Sequence, residues 1–169
     1  MNFYIGQIFT GKYPPEAAVW CNKNKAYIIN EDSKFIIKAI PESSLDELKE
    51  IKIKQIDNET SNAITSGFDY TINNIKYHFS YDSFDQQNFV DTASMCQLAL
   101  SGTEGLPTSV TWNSYLEDGT LVRQKFDANS FLKLYTSGAI AHKATQMAIG
   151  GQRKAAVQLA KTKEELDNI

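Results

Sequence analysis

The chain has 169 residues, of which 42% are hydrophobic and 11% aromatic. This composition can bury a core in one or two small domains, and it excludes a disordered or fibrous protein. The chain carries 17 basic and 20 acidic residues, for a net charge of −3, and no segment concentrates Lys and Arg. We therefore predict no nucleic-acid partner.

The N-terminal residues lack the basic start and the apolar core of a secretory signal, and no apolar run approaches membrane-spanning length. We therefore expect a soluble protein that is made in a cytoplasm and does not insert into a membrane. The two cysteines, Cys21 and Cys96, are too few for a disulfide framework. Two buried thiols are expected in a reducing compartment, and a bridge between them is the alternative.

The segment at residues 13–28 reads Tyr-Pro-Pro-Glu-Ala-Ala-Val-Trp-Cys-Asn-Lys-Asn-Lys-Ala-Tyr-Ile. Its two prolines fix φ at the start of a short helix, and the positive end of the helix dipole favours the glutamate that follows. Asn22 and Asn24 tolerate the left-handed conformation that often ends a helix. The segment therefore predicts a helix that leads into a strand at Tyr27.

Two apolar runs, at residues 27–29 and 35–37, are separated by the turn-rich sequence Asn-Glu-Asp-Ser. This arrangement predicts a β-hairpin. Pro41 follows the second run. We expect a small β-rich N-terminal module over residues 1–41.

Residues 42–66 predict a connecting helix. Ser43 or Ser44 can cap it, and Asp46 and Glu47 lie in its first turn, where the helix dipole favours acids. Its apolar stripe can dock on a module or pair with copies of itself as a short coiled coil. Because the stripe is brief, we favour docking.

From residue 67 onward, a hairpin followed by a helix occurs twice. The first hairpin, at residues 68–79, turns at Asn73 and Asn74, and Asp82 or Ser83 can cap a helix that reaches about residue 100. The second hairpin, at residues 110–126, turns at residues 117–119. The repeat predicts a ββαββα domain over residues 67–169.

The last helix can begin at an Asp127 or Asn129 cap and continue through about residue 160. Gly138 and the adjacent pair Gly150 and Gly151 are weak points of this helix, because each glycine costs about 1 kcal/mol relative to alanine. Thr162 and Glu165 form a capping box for a terminal turn. The predicted fold class is α+β, with an antiparallel sheet and helices on one face.

Three sets of residues are candidates for chemistry. His78 lies in an alternating strand and His142 in an alanine-rich helix, and neither has metal-ligand spacing, so hydrogen-bonded structural roles are favoured. A nucleophile pair of Cys96 and His142 would require proximity in space. Asp82 and Asp85 could serve as paired carboxylates on a glycan, but helix capping explains Asp82.

The Gly-Thr-Glu-Gly sequence at residues 102–105 follows a helix, so its amides are not arranged to cradle phosphate. Trp20 and Trp112 are interpreted as packing residues. We predict no catalytic residue, no metal and no cofactor.

The segment at residues 13–28 resembles a cassette near the N-terminus of small proteins encoded in the tail regions of bacteriophages and prophages. In these proteins Pro-Pro-Glu-Ala-Ala, Trp-Cys-Asn and a following strand recur in this order. The Ser-Val-Thr-Trp run at 109–112, the Asp-Gly turn at 118–119 and the helical run over 141–166 resemble an uncharacterised C-terminal domain of phage tail-fibre and fibre-associated proteins.

The resemblance implies a non-enzymatic structural component of a phage or phage-like tail, located in the particle and bound to fibre or baseplate proteins or to copies of itself. An assembly chaperone for tail fibres, absent from the finished particle, is the alternative, and a glycan or cell-wall hydrolase accessory ranks lower. The docking residues expected in the cassette are Tyr13, Pro14, Pro15, Trp20 and Tyr27.

Overall fold

The computed structural model describes residues 2–169 and divides the chain into two compact units. The first unit ends at Ser44 and the second is Leu45–Ile169. Both combine antiparallel strands with helices, which confirms the predicted α+β class.

The first unit is a three-stranded antiparallel sheet with one helix. Its elements are β1 (Ile8–Thr10), α1 (Pro15–Lys23), β2 (Ala26–Glu31) and β3 (Lys34–Ala39). The strands lie in the order β1-β3-β2. The helix α1 packs on one face of the sheet, where Ala17 and Cys21 meet Ala26 and Ile37 in a buried cluster.

The predicted hairpin is confirmed, and its turn consists of Asp32 and Ser33. Both residues have positive φ, 49° and 65°, which matches the type I′ turn that suits twisted strands. The prediction for the end of α1 is wrong in one respect. The left-handed residue is Lys25, at φ 48°, while the Asn24 side chain donates a hydrogen bond to the Trp20 carbonyl at 2.8 Å.

The second unit contains four strands, five α-helices and a π-helical segment in its described residues. Its elements are α2 (Leu45–Thr65), β4 (Phe68–Ile72), β5 (Ile75–Phe79), α3 (Ser83–Leu100), β6 (Ser109–Tyr115), β7 (Leu121–Asp127), α4 (Ala128–Leu134), the π-helical segment Tyr135–Ile140, α5 (Ala141–Leu159) and α6 (Lys163–Asp167). The antiparallel strands follow the order β4-β5-β6-β7. This arrangement confirms the ββαββα prediction.

Local side-chain chemistry fixes the ends of these elements. Asn73 and Asn74 form the β4–β5 turn with φ of 50° and 63°. Asp82 caps α3, and Asp127 caps α4 by accepting a hydrogen bond from Ser130 N–H at 2.7 Å. The predicted turn and both acidic caps are therefore confirmed.

The core of the second unit is aromatic. Alternate residues of the four strands face the helices, while the residues between them face away. Phe79, Phe89 and Phe131 are fully buried, and the ring centroid of Trp112 lies 4.3 Å from that of Phe89. Trp112 is thus a packing residue, as the sequence predicts.

The helix α2 lies along α5, so the expected docking is confirmed within the second unit. Ile56 and Val157 are fully buried in the cluster that joins α2, α5 and α6. The long helix after Asp127 departs from the prediction, because residues 135–140 form a π-helical segment. Its Gly138 lies against the ring of Phe68, where a Cβ would come within 2.6 Å of Cε2.

Candidate protein-docking surface

The first unit presents one apolar sheet face that its own helix does not cover. Strand alternation directs Ile37 towards α1 and its neighbour Ile36 to the opposite face. The register places Ile36 beside Ile8 on one side and Ile29 on the other. These isoleucines form a row across all three strands, with Tyr27 and Lys38 as the next cross-strand pair. We call this side of the sheet the open face.

An ion pair crosses the open face. The Lys38 ammonium donates a hydrogen bond to a Glu31 carboxylate oxygen, and this bond raises the pKa of Lys38 above its ordinary value. In the register, Ile29 and Ile36 lie between the two charged positions. The pair therefore bridges the isoleucine row, and both of its charges remain close to solvent.

The five residues predicted for docking do not share one surface. Tyr27 lies on the open face and is 40% exposed. Tyr13 lies on the side of the sheet that α1 covers, where its ring packs edge-on against that of Phe35, with ring centroids 5.1 Å apart. Trp20 is half-buried against the cluster beneath α1.

The two prolines of the cassette begin α1. Pro14 is its N-cap residue, with φ −71° and ψ 146°, and is half-buried, while Pro15 is the first helical residue and is exposed. Of the five predicted residues, the structure therefore brings Tyr27 alone to the open face. The binding role of all five stays a prediction.

Sequence reasoning missed the isoleucine row as a docking feature. Ile8, Ile29 and Ile36 each belong to a short apolar run, and such runs do not reveal which residue faces a helix. The signal available was the pair of adjacent isoleucines in each strand of the hairpin. One member of each pair must face away from the core.

Both histidines have structural hydrogen bonds, in accord with their interpretation from the sequence. The ring nitrogens of His78 lie 3.0 Å from Asp69 Oδ1 and 3.0 Å from the Ser66 carbonyl oxygen. His142 Nε2 lies 3.1 Å from the Ala63 carbonyl oxygen at the end of α2. Each ring thus joins two elements of the second unit.

Cys96 does not have the environment of a nucleophile. It is buried in the aromatic core, and burial raises the pKa of its thiol, with a smaller contribution from Asp127. An activated cysteine needs a lowered pKa. Cys21 is also a buried free thiol, so the expectation of two buried thiols is confirmed.

The acids at the start of α3 have different environments. Asp82 Oδ1 accepts hydrogen bonds from the N–H groups of Phe84 and Asp85, both at 2.8 Å, so it acts as the cap. Asp85 lines a polar cleft with Asn88 and Thr92. Burial and then the Asp82 charge raise the pKa of the Asp85 carboxyl. Asp82 therefore has the capping role that the sequence predicts, and Asp85 does not share it.

Two further features concern the glycine-containing loop and metal binding. The loop over residues 102–105 follows the end of α3, so it does not open a helix. Within residues 2–169, no three His, Cys, Asp or Glu side chains are grouped to hold a metal ion. In the same described part of the chain, no helix is both long and apolar enough to cross a membrane.

The second unit defines the class of protein: an α+β domain with a four-stranded antiparallel sheet and a helical face. A family model described as a domain of unknown function (DUF4376) matches residues 47–169, and the chain belongs to this family. The match begins inside α2, in agreement with the packing of α2 on α5. Comparison with curated proteins and with solved structures gives no match.

Proposed function

We propose that the chain is a non-enzymatic structural component of a phage or phage-like tail, associated with its fibre or baseplate. The open face carries this proposal, because Ile8, Ile29 and Ile36 form an apolar row on a sheet that α1 covers on its other side only. The resemblance of residues 13–28 to the phage-tail cassette supplies the setting. The same small module contains both features.

The composition of the open face suits a protein partner. Ile8 is 56% exposed, and Lys34, Lys38 and Glu31 surround the apolar row with charge. An apolar centre with a polar rim is the usual anatomy of a protein interface. The partner is a fibre or baseplate protein, and a second copy of this chain is compatible with the same surface.

The roles of the candidate chemical groups support a non-enzymatic function. Asp82 is occupied as a helix cap, both histidines bond backbone carbonyl oxygens, and the Cys96 thiol is buried. Each group therefore has a structural reason for its position.

Mass spectrometry of intact, purified tail particles tests the proposal. We expect the chain in a fixed ratio to the fibre or baseplate protein. Its absence from finished particles would contradict the structural role and favour the assembly-chaperone alternative. Co-expression then tests that alternative, because a chaperone must increase the soluble or trimeric fraction of the fibre.

A further inference from the structure

The edge of β6 that faces α3 is unpaired over most of its length. The strands β5 and β6 share the single pair His78–Tyr115, because the chain leaves β5 at Phe79 and enters α3 at Ser83. On its other edge, β6 pairs with β7 through all seven residues. Residues 109–113 therefore have a partner strand on one side.

Backbone groups of alternate residues point to this free edge. Leu116 N–H donates to the Thr120 carbonyl at 2.9 Å at the end of the β6–β7 hairpin. Bonded and non-bonded pairs alternate along an antiparallel ladder, so the even-numbered residues of β6 bond to β7. Thr111 and Asn113 direct their N–H and C=O groups the opposite way, towards the free edge.

A polar cleft of about 370 Å³ lies at the free edge. Three residues of β6 and three of α3 line it: Thr111, Trp112, Asn113, Asp85, Asn88 and Thr92. The spacing of the α3 residues places them on one side of the helix. Asp85 is the one charged residue in this lining.

An extended peptide matches both walls of the cleft. A strand has main-chain donors and acceptors along both edges, and each needs a partner when water is displaced. The free edge of β6 can bond one side of the peptide, and the amide and hydroxyl of Asn88 and Thr92 can bond the other. The free edge spans about 16 Å at about 3.3 Å per residue, the length of a five-residue segment.

We infer that this cleft binds an extended peptide segment of a partner protein, which adds to β6 as a strand and places a Lys or Arg beside Asp85. In such strand addition, main-chain hydrogen bonds provide the affinity and side-chain contacts the specificity. The site belongs to the second unit and does not depend on the role proposed for the open face.

Nuclear magnetic resonance of the ¹⁵N-labelled full chain tests the inference. The probe is a six-residue peptide that alternates Lys and Val, and the control peptide has Glu in place of Lys. We expect shifts of the Thr111 and Asn113 amides, with binding about tenfold weaker for the Glu peptide. N-methylation of the alternate peptide amides that face β6 should abolish binding, because it removes the donors that pair with this strand.

The residues Thr111 and Lys125 offer a matched pair of variants. They lie opposite each other in a non-bonded pair, so each N–H points away from the ladder, one into the cleft and the other to the outer edge of β7. Proline is tolerated at such edge positions. We expect Thr111→Pro to abolish peptide binding and Lys125→Pro to leave it unchanged.

Three results would overturn the inference. The first is no shift in residues 109–113 with the Lys peptide, and the second is equal binding by both proline variants. The third is a shift of the same amides by maltotriose but not by the peptide, which would make the cleft a carbohydrate site. If Thr111→Pro does not fold, the N-methylated peptide on the unaltered chain decides the question.

Discussion

Gly150 of α5 lies directly against Thr60 of α2. A Cβ built on Gly150 would come within 2.3 Å of Thr60 Oγ1, whereas a Cβ on the adjacent Gly151 would meet no atom within 4 Å. The helix α5 continues through both glycines to Leu159, so the pair does not interrupt it. Gly150 lets the two helices approach closely, and Gly151 has no such role.

We predict that Gly150→Ala destabilises the domain, while Gly151→Ala stabilises it. Overpacking a tight site typically costs about 1–3 kcal/mol, and alanine exceeds glycine in helix propensity by up to about 1 kcal/mol. The free energy of unfolding in urea measures both effects. The double change Gly150→Ala with Thr60→Ala should recover stability relative to Gly150→Ala alone. Equal effects of the two single changes would contradict the close approach.

A second prediction concerns the cap of α3. Asp82→Ala should lower the free energy of unfolding by about 1 kcal/mol, because two backbone N–H groups lose their acceptor. Asp82→Asn keeps a side-chain oxygen and should remain close to the unaltered chain. The same loss in both variants would show that the charge, and not the cap, stabilises the helix.

A third prediction concerns acid. Hydrogen bonds from His78 and then Lys76 hold the pKa of Asp69 below its ordinary value of 3.8. A lowered carboxyl pKa contributes stability that is complete above the ordinary pKa and is lost as pH falls through the lowered one. The difference in unfolding free energy between the unaltered chain and Asp69→Asn should therefore shrink below about pH 4. A constant difference at all pH values would contradict this coupling.

Asp85 should behave in the opposite way. Burial raises the pKa of its carboxyl, so the folded state disfavours the charged form. Protonation of Asp85 as pH falls should therefore stabilise the folded state. Asp85→Asn should be at least as stable as the unaltered chain at neutral pH. Urea unfolding at neutral pH checks this expectation, and a clear loss of stability would mean that the folded state uses the charge.

The buried cysteines give a further prediction. Cys21 and Cys96 lie in the cores of the two separate units, and burial raises the pKa of both thiols. A thiol reagent at neutral pH should therefore label both residues slowly in the folded chain and rapidly in urea. Rapid labelling of one cysteine without denaturant would show that its unit opens locally.

Sequence patterns predicted the features that neighbouring residues determine. Asn73 and Asn74 predicted a tight turn because they tolerate positive φ, and Asp82 predicted a cap because its side chain can reach the next backbone N–H groups. Both depend on contacts within three residues along the chain. Such contacts are legible in the sequence.

Features that depend on distant residues were not predicted. The π-helical segment accompanies the contact of Gly138 with Phe68, which lies 70 positions earlier in the sequence. The open face depends on the register that places Ile8 beside Ile36. Lys25, the left-handed residue that follows α1 and its C-cap Asn24, is a residue type that rarely adopts positive φ, so composition gave no signal for it.

The most direct test of the proposed function compares two lysine substitutions in assembled particles. Ile8 on the open face is 56% exposed and Val19 on α1 is 54% exposed, so Ile8→Lys and Val19→Lys add the same charge at matched exposure. With both variants folded, mass spectrometry of purified tail particles should find Val19→Lys at the unaltered level and Ile8→Lys depleted about tenfold or more. Equal incorporation of the two variants would contradict docking through the open face.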